Sequence, residues 1–407
     1  MDIFSLLFSD SFGRRNSRSF IFNQSNLSER SLSVYVLEIA RIFFVAAMAT
    51  CANPGCDQPG TNKCSGCKTT PYCGPICQTV HWTIHKEFCD GRLRKMGMTY
   101  LEKARDFHRV HNWSQLLRYS ELAATKLKQL KDRPIEDIST ALNHKCAALG
   151  FLSQYREQLE CAKEWYCLWN TKPTDVGAIC AAFALIESCI QNNEYVDAHL
   201  YASTLNEIIN HKYDNKIPED QRQRYIAKGA YFLALATLRL AQDGGIPPGE
   251  KQKAGVEVIA LARRALEIHT QLYGTEDNNV AGDTVVLADA LNVFINDGDD
   301  EILRLYEQAI AIYTRVYGSS SVNAAVSEGK LAAVFYKRAE KVRVANDLDR
   351  ELANLKMALT HIRESSRIYQ ATARVDDANR AAQLTVVIEE RLRQLAIATA
   401  TAAATRG

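Results

Sequence analysis

Seven of the twelve cysteines in this 407-residue chain fall between Cys51 and Cys89. They are ordered as Cys51-x4-Cys56, Cys64-x2-Cys67 and Cys73-x3-Cys77, and a last pair is formed by His85-x3-Cys89. Eight soft ligands in four pairs suit two tetrahedral zinc ions, each closed by protein atoms alone. A closed site leaves no position for an activated water, so two structural Zn2+ are expected, not catalytic ones. A disulfide framework belongs to short secreted chains, and this one is long and mixes histidine among its thiols. Metal ligation in a reducing compartment, cytoplasmic or nuclear, is therefore the expectation. About 40 residues cannot bury enough apolar surface to fold unaided, and zinc supplies on the order of 10 kcal/mol per site.

Local elements must bring these ligands together. Asn53-Pro54-Gly55, Pro59-Gly60 and Ser65-Gly66 are turn formers beside the ligand pairs. Pro75 suits the first turn of a helix, where its missing donor costs nothing. On that helix His85 and Cys89, four residues apart, are expected to project from one face towards a single ion. His81 falls on the same face. It either competes as a ligand or hydrogen-bonds nearby, and the four pairs already present favour the second. Spacing alone leaves sequential and interleaved pairings of the ligand pairs open.

The run Tyr72-Cys73-Gly74-Pro75-Ile76-Cys77-Gln78, then His81-Trp82 and His85-Lys86-Glu87-Phe88-Cys89, resembles the MYND zinc finger in ligand order, spacing and flanking residues. Two positions depart from the family pattern. The first pair is spaced by four residues where two is commoner, and Gly74 stands where serine is frequent. The resemblance implies interleaving: Cys51, Cys56, Cys73 and Cys77 on one zinc, Cys64, Cys67, His85 and Cys89 on the other. It also implies that the finger accepts short proline-containing peptides as an added strand, with Gln78 and Trp82 lining the groove. An indole is a flat apolar platform with one donor, which suits that role. The competing reading makes Trp82 the central core residue of a tiny module.

The rest of the chain is read as mainly α. Apolar residues make up 47% of the sequence, charged residues 24%, and glycine and proline are scarce. Breaks fall at Asp132-Arg133-Pro134, Lys172 to Asp175, Asn192-Asn193, Ile217 to Asp220, Gly244 to Gly249 and Asp297 to Asp300. Thr174-Asp175 is placed to cap the helix that starts at Val176. Ala265-Leu266-Glu267-Ile268 followed by Leu272-Tyr273-Gly274 returns 44 residues later as Ala309-Ile310-Ala311-Ile312 and Val316-Tyr317-Gly318. Ile368-Tyr369 reads as a third, degenerate copy. Trp113, Tyr155 and Tyr195 each begin an amphipathic segment, at intervals of 42 and 40 residues. The segment from Asn193 carries Ala198 and Ala202, small residues suited to a close helix contact. A period of 40–44 with two helices per unit marks a helical solenoid, here similar to degenerate tetratricopeptide (TPR-like) repeats over residues 99–395. An irregular all-helical domain is the alternative. Residues 396–407 read as a frayed tail, and Cys146, Cys161, Cys167, Cys180 and Cys189 as buried free thiols that act as small apolar residues.

Residues 1–47 are treated as an extension, either disordered or preceding a true start at Met48. Its apolar stretch, Val34 to Ala47, is interrupted by Glu38 and Arg41 and is too short to span a bilayer, so no membrane partner is expected. The formal charge of +2 argues against a nucleic-acid partner. In the finger, Lys63, Lys68 and Lys86 nearly balance Asp57 and Glu87, and Arg92-Arg94-Lys95 is a solvated face. Two functions are weighed. One is a non-enzymatic adaptor, in which the finger holds a proline-containing peptide and the solenoid a second protein. The other is a relative of the MYND-containing SET lysine methyltransferases, since Asn143-His144-Lys145-Cys146 faintly resembles a SET motif. That motif continues differently here, with Ala147-Ala148-Leu149, and no catalytic site is read from the sequence. The adaptor is the expectation.

Overall fold

A computed structural model describes residues 49–404, apart from 170, 173–174, 213–217, 296–298, 346 and 373. The extension 1–47, the Met48 start and the proposed cap Thr174 lie outside the described residues. The chain divides into two compact units between Arg92 and Leu93.

The first unit holds two short antiparallel strands, β1 (Asn62–Lys63) and β2 (Pro71–Tyr72), with Asn62 opposite Tyr72 and Lys63 opposite Pro71. An isolated bridge joins Thr50 to Pro59. Helix α1 (Pro75–His85) follows, with Pro75 in its first turn. Fully buried Tyr72 fills the centre, packed among the cysteines.

The second unit is helical throughout its described residues. It comprises α2 (Asp90–Arg109, whose first turn belongs to the first unit), α3 (Trp113–Lys128), α4 (Ile135–Phe151), α5 (Tyr155–Leu168), α6 (Val176–Gln191) and α7 (Tyr195–Glu207). After a π-turn at Ile208–Lys212 come α8 (Glu219–Gln242), α9 (Lys251–Tyr273), α10 (Asn278–Phe294), α11 (Asp299–Tyr317), α12 (Val322–Val344), α13 (Leu348–Ala371) and α14 (Val375–Ala404). From α3 onwards each helix packs on the next in sequence. In addition α4 touches α6, α6 touches α8, and α8 touches α10, so these four helices share one layer. This is a stack of helix hairpins, the solenoid reading of the sequence. Helix α14 continues through residues 396–404, which the sequence set apart as a frayed tail. The alanines there have the highest intrinsic helix preference of any residue.

One turn explains the period. Trp113, Tyr155 and Tyr195 are each the first residue of their helix, and two positions earlier stand His111, Ser153 and Asn193, with φ of 54°, 60° and 62°. After each, the next N–H donates to a carbonyl five residues back: Asn112 to Phe107 (3.0 Å), Gln154 to Leu149 (2.9 Å) and Glu194 to Cys189 (2.8 Å). This left-handed closure satisfies the last carbonyls of the preceding helix and reverses the chain. The aromatic residue then reaches back over the turn. Tyr195 Oη donates to Asn193 Oδ1 at 2.6 Å, Tyr155 Oη to Ser153 Oγ at 3.4 Å, and Trp113 stacks on His111 at 5.3 Å. Asn193 is therefore a turn residue that precedes α7, not part of the helix, while Ala198 and Ala202 are buried as the close-contact reading required.

The 44-residue repeat is equally literal. Helices α9 and α11 end at Tyr273 and Tyr317, Gly274 and Gly318 share φ of 82°, and α10 and α12 start 44 residues apart. The third copy lacks that glycine. Helix α13 runs two residues past Tyr369 and ends on Thr372 at φ −101°. Helix ends elsewhere are capped by Asn112, Asp175, Asp277, Ser321 and Asp347, each accepting a backbone N–H of the following turn.

Apolar cores run through the stack. Ser139 is a buried exception that accepts both indole N–H groups, from Trp165 (2.6 Å) and Trp169 (3.1 Å). Trp169 lies flat on Gly177, where a Cβ would come within 2.1 Å of the ring. In the later hairpins buried carboxylates are paired across helices: Asp289 with Lys330 (2.5 Å), Glu328 with His361 (2.7 Å), and Glu351 with Arg391 (2.7 Å). Removing one member of such a pair costs about 3–5 kcal/mol. Cys146, Cys161 and Cys189 are buried and Cys180 half-buried, but Cys167 is exposed, against the sequence reading. Helix α5 buries Cys161, Ala162 and Trp165, and Cys167, six residues past Cys161, falls on the opposite side.

Left-handed backbone costs a non-glycine residue about 1–2 kcal/mol. Ser153→Gly is expected to stabilise the helical unit by about 0.5–1 kcal/mol, read as a higher urea midpoint at unchanged slope. A lower midpoint would show that the Tyr155 contact outweighs the backbone term.

Candidate zinc centre

The ligand atoms of Cys51, Cys56, Cys73 and Cys77 lie within 4.8 Å of one another, and so do those of Cys64, Cys67, His85 and Cys89. The first and third pairs thus share one cluster, the second and fourth the other, which is the interleaved arrangement. Its cause is the β1–β2 hairpin. Ala52 N–H donates to the Pro71 carbonyl (2.9 Å) and ties the first knuckle to β2, which leads directly into Cys73. Cys64 N–H donates to the Thr70 carbonyl (2.8 Å), which closes the second knuckle at the base of the hairpin. Crossing strands therefore place Cys73 and Cys77 against the first knuckle and leave His85 for the second.

Cys89 reaches its cluster by a route other than the expected one. Helix α1 stops at His85, and Glu87 and Phe88 donate to carbonyls three residues back, from Ile84 and His85 (3.3 and 3.0 Å). That tightening ends the helix, so His85 and Cys89 converge from either side of a turn and not from one helical face. His81 stands outside both clusters. Its Nδ1 meets the Tyr72 hydroxyl at 3.0 Å, the hydrogen-bonding alternative of the sequence reading.

Hydrogen bonding and burial move the thiols within each cluster in opposite directions. Burial raises the Cys67 thiol, but hydrogen bonds from Thr69 and Thr70 outweigh it and bring it to about 5. Burial likewise opposes, and N–H donors of Asn53 and Cys73 overcome, the shift that takes Cys51 down to about 7. Cys73 is pushed up to about 12, first by hydrogen bonding with Cys77 and Cys56. Each cluster thus holds one ready thiolate crowded by further sulfurs. Burial, then the charges of Cys64, Cys67, Cys51 and Cys89, raise Tyr72 to about 12, so its hydroxyl stays protonated between the two sets.

Zinc fits both. Tetrahedral Zn–S bonds of about 2.3 Å set ligand–ligand edges near 3.8 Å, and a mixed S–N edge near 3.6 Å. Cys56 Sγ lies 3.7 Å from Cys73 Sγ, and Cys67 Sγ lies 3.6 Å from His85 Nε2. Outer-shell donors complete the arrangement: Asn53 Nδ2 to Cys77 Sγ (3.5 Å) and Thr70 N–H to Cys67 Sγ (3.5 Å). With four protein ligands each, the ions hold the fold and present no open coordination position.

Gln78 and Trp82 lie four apart on α1, one row over from the ligand row of Cys77, His81 and His85. Gln78 Nε2 donates to Cys64 Sγ (3.6 Å) and Ser65 Oγ (3.4 Å), so the second knuckle holds this side chain in place. Trp82 is 37% exposed and meets His85 edge-on at 5.8 Å, whereas Tyr72 is 0% exposed. The core of the finger is Tyr72; Trp82 is a surface platform. Gly74 is the N-cap of α1, extended and without a side-chain cap, and nothing lies within 4 Å of a Cβ added there. Serine would cap the helix at that position, and its absence costs a few tenths of a kcal/mol, roughly.

Of three further supports, the sequence singled out only Gly66, and that as a turn former. Gly66 brings the knuckle so close that an added Cβ would lie 3.2 Å from Cys89 Sγ. At Gly91, on the first turn of α2, a Cβ would overlap the Gly66 carbonyl oxygen at 2.0 Å. Tyr72 was visible only as part of the motif. A glycine just beyond the last ligand was the available signal for the second of these. Asn143 to Cys146, by contrast, lies on α4, where Cys146 is packed in the apolar core.

Comparison with known proteins places this geometry. The MYND finger family matches residues 50–89, so this segment is a MYND finger. Tudor domain-containing protein 1 of Oryzias latipes is 47% identical over 34 residues, 8% of this chain and 3% of that protein, so the chain spans only a small fraction of that relative. Among solved structures, a Podosopora anserina protein described as kinesin light chain, with nearly identical TPR-like repeats, is 14% identical. It covers 54% of this chain and 96% of its own at a TM-score of 0.38. BtubC (BKLC) from P. vanneervenii is 14% identical, covering 59% and 92% at a TM-score of 0.36.

Native mass spectrometry is expected to count two zinc ions in the protein and in His81→Ala, and one in His85→Ala. A single zinc in His81→Ala would contradict the assignment. Gly91→Ala is expected to weaken the second site by about 1–3 kcal/mol through the clash with Gly66, seen as faster zinc loss to a chelator. Unchanged loss would mean that the knuckle has room to move.

Proposed function

We propose that the chain is a protein-interaction adaptor in which the finger binds a short proline-containing peptide and the helical stack holds a second protein. The observation that carries the first half is the exposed Trp82 platform beside a Gln78 fixed by the second zinc knuckle. An aromatic on a rigid, metal-braced element binds at low entropic cost, and such residues dominate interface energies. The same helix turns Ile76, Val80 and Ile84 outward, each well exposed, with Phe88 beyond them. Clustered apolar exposure of this kind marks a surface that meets a partner. Backbone pairing along the finger's short strands would supply affinity, and the Gln78–Trp82 row selectivity. For the stack, successive hairpins present an extended layer of α4, α6, α8 and α10, a surface type suited to protein recognition. The reading assigns no catalytic step to either unit. Among the described residues, no helix is long and apolar enough to cross a membrane.

Peptide-library selection on the zinc-loaded protein is expected to enrich proline-containing sequences. Trp82→Ala should weaken the best of them by about 2 kcal/mol or more, roughly 30-fold, and Gln78→Ala/Trp82→Ala should abolish enrichment while keeping two zincs. Equal enrichment by protein and double variant would make the finger a folding element only.

A further inference from the structure

Helices α6, α8, α10 and α12, with His269 of α9 and Tyr313 of α11, line a cleft of about 460 Å³, the size of a small-ligand or side-chain site. Its floor is Gly282 on α10, where an added Cβ would find only Tyr231 and Tyr313, at 3.7 Å or more. Neighbouring Asp283 is 1% exposed. One of its oxygens, Oδ2, is 2.6 Å from His269 Nδ1; the other, Oδ1, is buried and has no hydrogen-bond partner. Buried acceptors are nearly always satisfied, so this oxygen marks the place of a donor. His269 Nδ1–H satisfies one oxygen only, and burial pushes the Asp283 carboxyl upward, so a positively charged donor at the other oxygen would do most to hold the carboxylate form. Of the two other charged groups on the walls, Lys228 sits over Phe183 and Phe232 at 4.7 and 5.8 Å and faces Glu187, so these two offset one another. What remains is a buried carboxylate oxygen beside two tyrosine rings.

Donor-rich, cationic and flat is the ligand description that follows. A guanidinium is weakly hydrated, stacks on aromatic faces and offers N–H groups in a rigid fork, whereas an ammonium is strongly hydrated and keeps more of its water. We propose that this cleft receives an arginine side chain from a partner protein, its N–H donated to Asp283 Oδ1 and its plane set against Tyr231 and Tyr313. The inference rests on the adaptor reading of the helical stack and gives that second partner its chemistry: a segment with an accessible arginine.

The test uses the full-length zinc-loaded protein and the blocked tripeptide acetyl-Gly-Arg-Gly-amide, with citrulline and lysine versions, titrated by calorimetry. Citrulline keeps the shape and removes the charge. Saturable arginine binding with a dissociation constant on the order of 1 mM is expected, and citrulline and lysine should bind about tenfold or more weakly. Binding should be lost in Asp283→Asn and in Gly282→Leu, which fills the floor. Should Asp283→Asn fail to fold, Gly282→Leu still decides. The Gln78→Ala/Trp82→Ala variant should bind the arginine peptide as the parent does, which separates this site from the finger. Equal binding of arginine and citrulline, equal binding of lysine, persistence in Gly282→Leu, or no saturable arginine binding would each overturn the proposal; the last leaves a cleft filled by water.

Discussion

Thiolates gathered within a few ångströms repel one another, and only a cation at their centre turns that arrangement from a cost into the source of the fold. Everything in the finger follows from this constraint. Its four-cysteine cluster and its three-cysteine, one-histidine cluster share no ligand, yet they are bound into one body because the hairpin sends alternate pairs to alternate ions. Without metal, a fully buried tyrosine and a two-stranded ladder are all that remain to oppose chain entropy, which is far too little for a segment of this size. Zinc also frees the largest aromatic from core duty: because Tyr72 and the ions fill the centre, Trp82 can stand at the surface. A structural metal thereby leaves the indole exposed.

The helical unit solves a different problem by repetition. The α2–α3, α4–α5 and α6–α7 turns each close on a left-handed residue whose next neighbour donates five residues back, and an aromatic at the start of the following helix covers the turn. Histidine, serine and asparagine stand in that conformation in the first three hairpins, glycine at the later helix ends after α8, α9 and α11. Stacking then packs each helix from α3 onwards on the next, and α4, α6, α8 and α10 on one another. Carboxylates buried in the later hairpins are paired across helices, so polarity there fixes register instead of opening the core. Asp283 and Glu351 are alike in having one oxygen paired across helices and the other buried without a hydrogen-bond partner.

Much of this was legible in the residues. Ligand identity followed from type and spacing, because zinc chemistry is local. The 44-residue repeat and the three aromatic helix starts were visible because helix ends need particular residues at particular positions. What sequence left open were properties of crossing chains. The choice between core and surface for Trp82 depended on how far Tyr72 fills the centre, and the role of His81 on where the Tyr72 hydroxyl points. A helix was read through to Cys89 because His85 and Cys89 have helical spacing. The turn at Lys86 to Phe88 is set by the knuckle it must meet, a tertiary demand that overrides local pattern. Cys167 was grouped with the buried cysteines although its angular position on α5 placed it outward, a signal the periodicity contained. Close approaches such as Gly91 on Gly66 and Gly177 under Trp169 have no sequence signature beyond the glycine itself.

The account turns on which ligands share an ion, since the interleaved pairing is what makes the finger one rigid body able to display Gln78 and Trp82. Substituting the two zincs with cadmium-113 and recording couplings from each metal to cysteine β-protons reads the pairing directly. One cadmium should couple to Cys51, Cys56, Cys73 and Cys77, and the other to Cys64, Cys67 and Cys89, with His85 Nε2 as its fourth ligand. Coupling of a single cadmium to Cys51, Cys56, Cys64 and Cys67 would mean two sequential beads, and would contradict the structure described for the finger.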